Sequence, residues 1–119
     1  MSHLPGLPRT AAAVVLGLAC ASAFAQDGAD RLAAGRAVYT KWCAPCHDPG
    51  VTHPGTHALT VKYQGVKSGV LLEWKDLTPD TVKYLVRHGI SVMPQFRKTE
   101  ISDQELDALA EFLSRNTPQ

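Results

Sequence analysis

Cys43-Ala44-Pro45-Cys46-His47 constrains this chain more than any other segment of it. Two thiols three positions apart can each add to one of the two vinyl groups of a single porphyrin. The histidine that follows is then held under the iron, where an imidazole nitrogen can bind it. The spacing predicts one haem c, covalent through Cys43 and Cys46, with His47 as an iron ligand. Such a cofactor is core material as well as a redox centre, so the rest of the chain is expected to wrap it.

The first 25 residues read as a secretory leader. His3 and Arg9 lie in a polar start, and Ala11 to Ala19 form an apolar run containing Val14, Val15, Leu16 and Leu18. Ala23-Phe24-Ala25 then matches the small-x-small cleavage pattern. The apolar run is too short to span a bilayer. Cys20 raises a rival reading, a lipid-anchored protein, but Gly17-Leu18-Ala19 lacks the aliphatic residue usual three places before a lipidated cysteine. The expectation is a leader over 1–25, cleavage after Ala25, export to the periplasm, and one mono-haem domain over 26–119. Cleavage would leave Cys43 and Cys46 as the only cysteines and Met93 as the only methionine. It would also remove Arg9, bringing twelve basic residues into balance with eleven acidic ones. A neutral domain lacks the basic footprint that nucleic acid demands. A domain this small has a marginal core unless it is stapled, and a buried porphyrin supplies apolar surface.

Periodicity places three helices. Leu32, Gly35, Tyr39 and Trp42 recur at helical spacing over 30–42, with Asp30 as candidate N-cap and Pro45 ending the run at the thiol segment. Thr78-Pro79-Asp80 opens a second helix with a hydroxyl cap, a first-turn proline and an acid; Val82, Leu85 and Val86 form its apolar face and Gly89 closes it. Ser102 and Glu105 spell a capping box for the last helix, with Ile101 and Leu106 as hydrophobic staple. Leu106, Leu109, Ala110 and Leu113 face inward there, beside Phe112. Residues 48–77 carry no clear pattern and are expected to wrap the cofactor as a long loop, with one helical turn near Gly69 to Trp74. No repeat and no strand alternation appears, so the class is all-α.

The thiol pair has a competitor reading. Trp42-Cys43-Ala44-Pro45-Cys46 resembles a thioredoxin-type dithiol, but that motif follows a buried strand. Here a helical stripe precedes it and His47 follows it. A structural zinc site would need two further soft ligands at suitable spacing, and residues 26–119 hold no cysteine besides Cys43 and Cys46. Met93, in a loop after a helix and before Pro94, is the candidate second axial ligand; its plainer reading is core filler. His53, His57 and His88 are rival ligands that would make a bis-histidine site. Trp74, Tyr63 and Tyr84 have polar tips that could meet a haem propionate, and Arg97 and Lys98 could steer an acidic partner. The acids of the last helix read as its wet side.

Together these residues resemble the class I c-type cytochromes, the small soluble mono-haem proteins of bacteria. The resemblance implies a cytochrome c fold: crossed N- and C-terminal helices, plus a helix before the Met loop, around one haem. It implies thioethers from Cys43 and Cys46, His47 as proximal and Met93 as distal ligand, and Gly35, Tyr39 and Phe112 at the helix crossing. Many members carry a Gly-Pro-x-Leu segment whose proline carbonyl accepts the proximal histidine's other N–H. This chain reads Val51-Thr52-His53-Pro54-Gly55 there, which offers Pro54 for that task.

Two protein ligands would close the iron to substrate, leaving outer-sphere transfer of single electrons between a donor dehydrogenase and an acceptor cytochrome or oxidase, with no catalysis by the chain itself. Ala44, Val51, Val92, Pro94 and Phe96 would form a small apolar docking patch. The segments from Thr78 to Asp80 and from Ile90 to Phe96 are similar to cytochrome subunits of flavoenzymes that oxidise para-substituted phenols. A tightly bound subunit of such a dehydrogenase is therefore the alternative. A ligand-binding haem protein is a third reading, and it requires that Met93 not bind iron.

Overall fold

The computed structural model describes residues 26–116. The expected leader, with Cys20 and the Ala25 cleavage point, lies outside the described residues. The chain divides after Asp30. Residues 26–30 are helical, so Asp30 stands within a helical run and does not cap one.

From Arg31 onward the fold is built from helices. Helical residues 31–38 (α1) lead into a π-helical turn, Tyr39–Cys43, and then into the short α2, Ala44–His47. The run therefore does not stop at Pro45. The π turn sends the Ala44 N–H to the Tyr39 carbonyl and restarts the helix, and Pro45 falls in the first turn of α2, where its missing N–H costs nothing. Next come α3 (Pro54–Tyr63), a 3₁₀ turn (Leu71–Glu73), α4 (Pro79–His88) and α5 (Asp103–Ser114). Among the described residues the only β-type pairing is an isolated bridge between Ile90 and Met93. The all-α class and the cytochrome c type of helix arrangement hold.

α1 crosses α5 at Gly35. A Cβ built on Gly35 would stand 2.1 Å from the Ala108 carbonyl oxygen and 2.7 Å from Phe112 Cβ, so a residue with no side chain is what lets the helices touch. One turn on, the Tyr39 and Phe112 rings meet at 5.9 Å. The core beneath gathers Val38, Leu77, Val82, Val86, Ile101 and the inner face of α5, with Ile101 and Leu109 fully buried.

α4 and α5 follow their local signals. Thr78 Oγ1 accepts the Thr81 N–H, Pro79 opens α4, and Gly89 ends it at φ 69°. Ser102 and Glu105 complete the capping box in both directions. The acidic side of α5 is more than wet surface, because it meets cations from its neighbours: Arg31 at Glu111 (2.9 Å), Lys83 at Asp107 (2.6 Å), Arg87 (2.9 Å) and Lys98 (2.7 Å) at Asp103. Each exposed pair adds little energy, but together they favour one relative placement of the helices.

The segment 48–77 departs most from expectation. It contains a ten-residue helix, α3, that no apolar stripe announces. Thr56 is buried on it while Val61 is 59% exposed. After it, Lys67 lies 3.3 Å over the Trp74 ring, pairs with Asp76 at 2.6 Å, and Tyr63 packs edge-on against Trp74 at 5.6 Å. The helical turn expected near Gly69 to Trp74 is the 3₁₀ turn.

Candidate haem-binding site

Cys43 closes the π turn and Cys46 and His47 end α2, so all three ride on one helical segment. Both thiols are free; Cys43 is half-buried and Cys46 exposed. Burial, and then the neighbouring Cys46, push the Cys43 thiol up to about 12. That is opposite to the depressed pKa by which a redox dithiol makes its attacking thiolate. Among the described residues no strand precedes the pair, so both observations count against a thioredoxin-like site.

Helix α2 is too short to satisfy its own last carbonyls. Ala44 O accepts the Asp48 N–H at 3.0 Å, and side chains from elsewhere take others. The Tyr39 hydroxyl donates to His47 O (3.0 Å), Thr56 Oγ1 to Asp48 O (2.9 Å), and His53 Nδ1 stands 3.1 Å from Pro45 O. Burial holds the Tyr39 phenol far above its ordinary pKa, with the Asp48 charge adding to it, so it remains a donor.

The His47 ring is wedged against α3. A Cβ on Gly55 would lie 2.8 Å from His47 Cε1 and 3.0 Å from its Nδ1. That Nδ1 is buried and has no hydrogen-bond partner among the described residues. Pro54 therefore does not supply the carbonyl expected of it, because its residue opens α3 instead. Burial also lowers the His47 pKa, which favours the neutral imidazole that metal ligation requires.

Met93 sits on a separate loop, half-buried and packed against the core. Ile90 N–H donates to Met93 O (3.2 Å) and Met93 N–H to Ile90 O (2.9 Å), closing a tight turn through Ser91 at φ 54°. Beyond it, Phe96 N–H donates to Val86 O (2.8 Å) and Arg87 to Phe96 O (3.0 Å), which ties the loop back to α4. Trp42, the residue before Cys43, meets Phe96 edge-on at 5.8 Å. This ring contact joins the thiol segment to the Met93 loop. Sequence reading missed it, although two aromatics flanking the two candidate ligand segments were there to be paired.

The other candidates lie elsewhere. His57 is exposed on α3, and His88 stacks on the 62% exposed Tyr84 at 4.2 Å with Nδ1 at the Tyr84 carbonyl. Trp74 spends its indole N–H on Ser68 O (2.7 Å). Arg97 and Lys98 pair with Glu100 and Asp103, so they form no free cationic patch. Ala44 is buried and Phe96 packs on Trp42; of the expected apolar surface only Val51 (84% exposed), Val92 (92%) and Pro94 remain.

The donor set fits a haem. Cys43 and the Met93 thioether pack against one core, and on the Cys43 segment stand a second free thiol, Cys46, and an imidazole with an orphaned buried nitrogen, His47. Residues 30–113 match the family described as cytochrome c oxidase, cbb3-type, subunit III. The chain belongs to this cytochrome c family. It is also similar to the cytochrome c subunit of 4-cresol dehydrogenase (hydroxylating) from Pseudomonas putida, at 34% identity over 80 residues, which is 67% of this chain. The chain spans 58% of that relative's length. No solved structure matches. As a c-type cytochrome the chain is an electron-transfer haem protein, similar to that dehydrogenase's cytochrome c subunit.

Proposed function

We propose that residues 26–119 form a periplasmic electron carrier, exported by a leader over 1–25. In this reading it holds one haem c through Cys43 and Cys46, with His47 and Met93 as axial ligands. It passes single electrons from a dehydrogenase to an acceptor cytochrome or oxidase. The observation that carries it is that two free thiols and His47, whose Nδ1 is buried and unpartnered among the described residues, lie on one helical segment. Trp42 and Phe96 tie that segment to the Met93 loop.

Bound haem supplies a one-electron couple between ferrous and ferric iron. Cys43 and Cys46 would make the attachment permanent. His47 would bind as a neutral ring, with Gly55 and Tyr39 limiting its movement. Met93, by offering a thioether, would favour the reduced form and raise the potential. Two protein ligands would exclude exogenous ones, and the pinning of α2 by α3 and of the Met93 loop by α4 would limit change of shape between oxidation states. Val51, Val92 and Pro94 offer a small exposed apolar surface suited to brief redox encounters.

A haem that stays with the polypeptide after denaturation and solvent extraction, and a ferrous form that does not bind carbon monoxide, are the expected results. Extractable haem would refute thioether attachment. Carbon monoxide binding would reopen the ligand-binding reading.

The alternative is a stable cytochrome subunit of a flavin-dependent dehydrogenase that oxidises para-substituted phenols. The 34% identity to the 4-cresol dehydrogenase cytochrome subunit favours it. Purification from the native host decides between them: a flavoprotein that stays bound through gel filtration selects the subunit, and a haem protein eluting alone selects the carrier.

A further inference from the structure

We propose that His53 is a positioning residue for the haem-attachment segment, tying the Pro45 carbonyl to the start of α3. The inference rests on the haem reading of Cys43, Cys46 and His47.

The requirement comes from the sequence. In a continuing helix the Pro45 carbonyl would receive the N–H of residue 49, but residue 49 is proline and has none. A carbonyl between the two attachment cysteines is thereby left without a helical donor. His53 Nδ1 stands 3.1 Å from it. A carbonyl only accepts, so Nδ1 carries the proton, in the neutral ring as in the charged one.

The same residue anchors the next element. His53 is the N-cap of α3; its N–H donates to Gly50 O (3.2 Å) and its carbonyl accepts the His57 N–H (2.9 Å). Two residues later Gly55 presses on the His47 ring. A single side chain thus links the Cys43–Cys46 rung to the wall that orients His47. Without its donor, Pro45 O loses its partner and the first turn of α3 loses its hold on α2. The Thr56 bond to Asp48 and the packing of Gly55 against His47 then remain to hold the junction. The expected consequence is a rotated His47 ring rather than an unfolded protein.

The test uses the full-length exported protein carrying haem, with His53→Leu, His53→Asn and the control His57→Leu. Asn places an amide N–H where the imidazole Nδ1–H stands; Leu keeps bulk and loses the donor. The readouts are covalent haem content, reduction potential, and the paramagnetically shifted haem-methyl resonances of the ferric form. His53→Leu should move the potential and the methyl pattern, His53→Asn should return both toward the parent, and His57→Leu should leave both in place. A His53→Leu protein identical to the parent would overturn the proposal, as would an Asn variant displaced as far as Leu. Should His53→Leu yield no haem protein, a parent-like Asn variant supports the proposal and an Asn variant that also fails overturns it. A parent protein without covalent haem would instead sink the haem reading itself, and this proposal with it.

Discussion

The α1–α5 crossing and the α2–α3 junction are held together by different physics. At the crossing, apolar surface is removed from water: Gly35 admits Phe112, Tyr39 covers it, and Leu106, Leu109 and Leu113 fill the space below. At the junction there is little apolar surface to bury, and single side chains satisfy carbonyls that a four-residue helix leaves open. The first kind of region tolerates small losses because its energy is spread over many contacts. The second places much of its specificity in a few bonds, and those bonds surround the candidate ligand. Damage to the crossing should appear as lost stability, and damage to the junction as altered haem properties.

Gly35→Leu should have the largest effect on stability. A side chain there meets the Ala108 backbone, and overpacking of this kind costs about 3 kcal/mol. Chemical denaturation should show an earlier midpoint with an unchanged slope; an unchanged midpoint would mean that the helices do not touch there. Gly55→Ala should cost less, about 2 kcal/mol by the same mechanism, yet disturb the site more, because its methyl group is forced against His47. The absorption spectrum and potential should shift in this variant while they stay put in Gly35→Leu. If the two glycines behave alike, the distinction between the regions fails.

Thr56→Val sharpens the contrast. It keeps shape and removes the donor to Asp48 O, leaving a part-buried carbonyl open at a cost of about 1–2 kcal/mol. Amide exchange should quicken over 48–63 and hold steady in α5; uniform acceleration would argue against a separate local unit. Ser102→Ala is the mildest, removing the α5 cap for about 1 kcal/mol at neutral pH. Its effect depends on pH with a definite sign. Glu105 accepts from the Ser102 backbone and hydroxyl, so its folded pKa lies below its unfolded one. That stability is present above the ordinary carboxylate range and is lost as pH falls through the folded value. The gap between the variant and the parent should narrow in acid.

The same division decided what could be read in the sequence. α4 and α5 were legible because their starts are chemical signals: Thr78, Pro79 and Asp80 in one, Ser102 and Glu105 in the other. Gly35, Tyr39 and Phe112 were legible through the family resemblance, and the thiol motif through its spacing. α3 was not, since its buried residue is a threonine and its valine faces water, so no hydrophobic period marks it. It docks on α2 through Thr56, His53 and Gly55, a tertiary fact that periodicity does not contain. Pro45 misled for a related reason: a proline stops a helix in mid-run but not in the first turn after a π turn. Asp30 was expected as a cap because it precedes the helical stripe that begins at Leu32, while the helical run continues through it. At the site, the Trp42–Phe96 contact and the orphaned His47 nitrogen are products of the fold, invisible to residue spacing.

The central claim is that His47 and Met93 close one haem between them. The measurement that bears on it most directly is the visible spectrum of the purified exported protein, oxidised and reduced, beside that of Met93→Ala. The account predicts a c-type haem spectrum with a weak far-red band from methionine bound to ferric iron, present in the parent and absent in the variant. A parent spectrum without that band, or a band that survives the substitution, would contradict it.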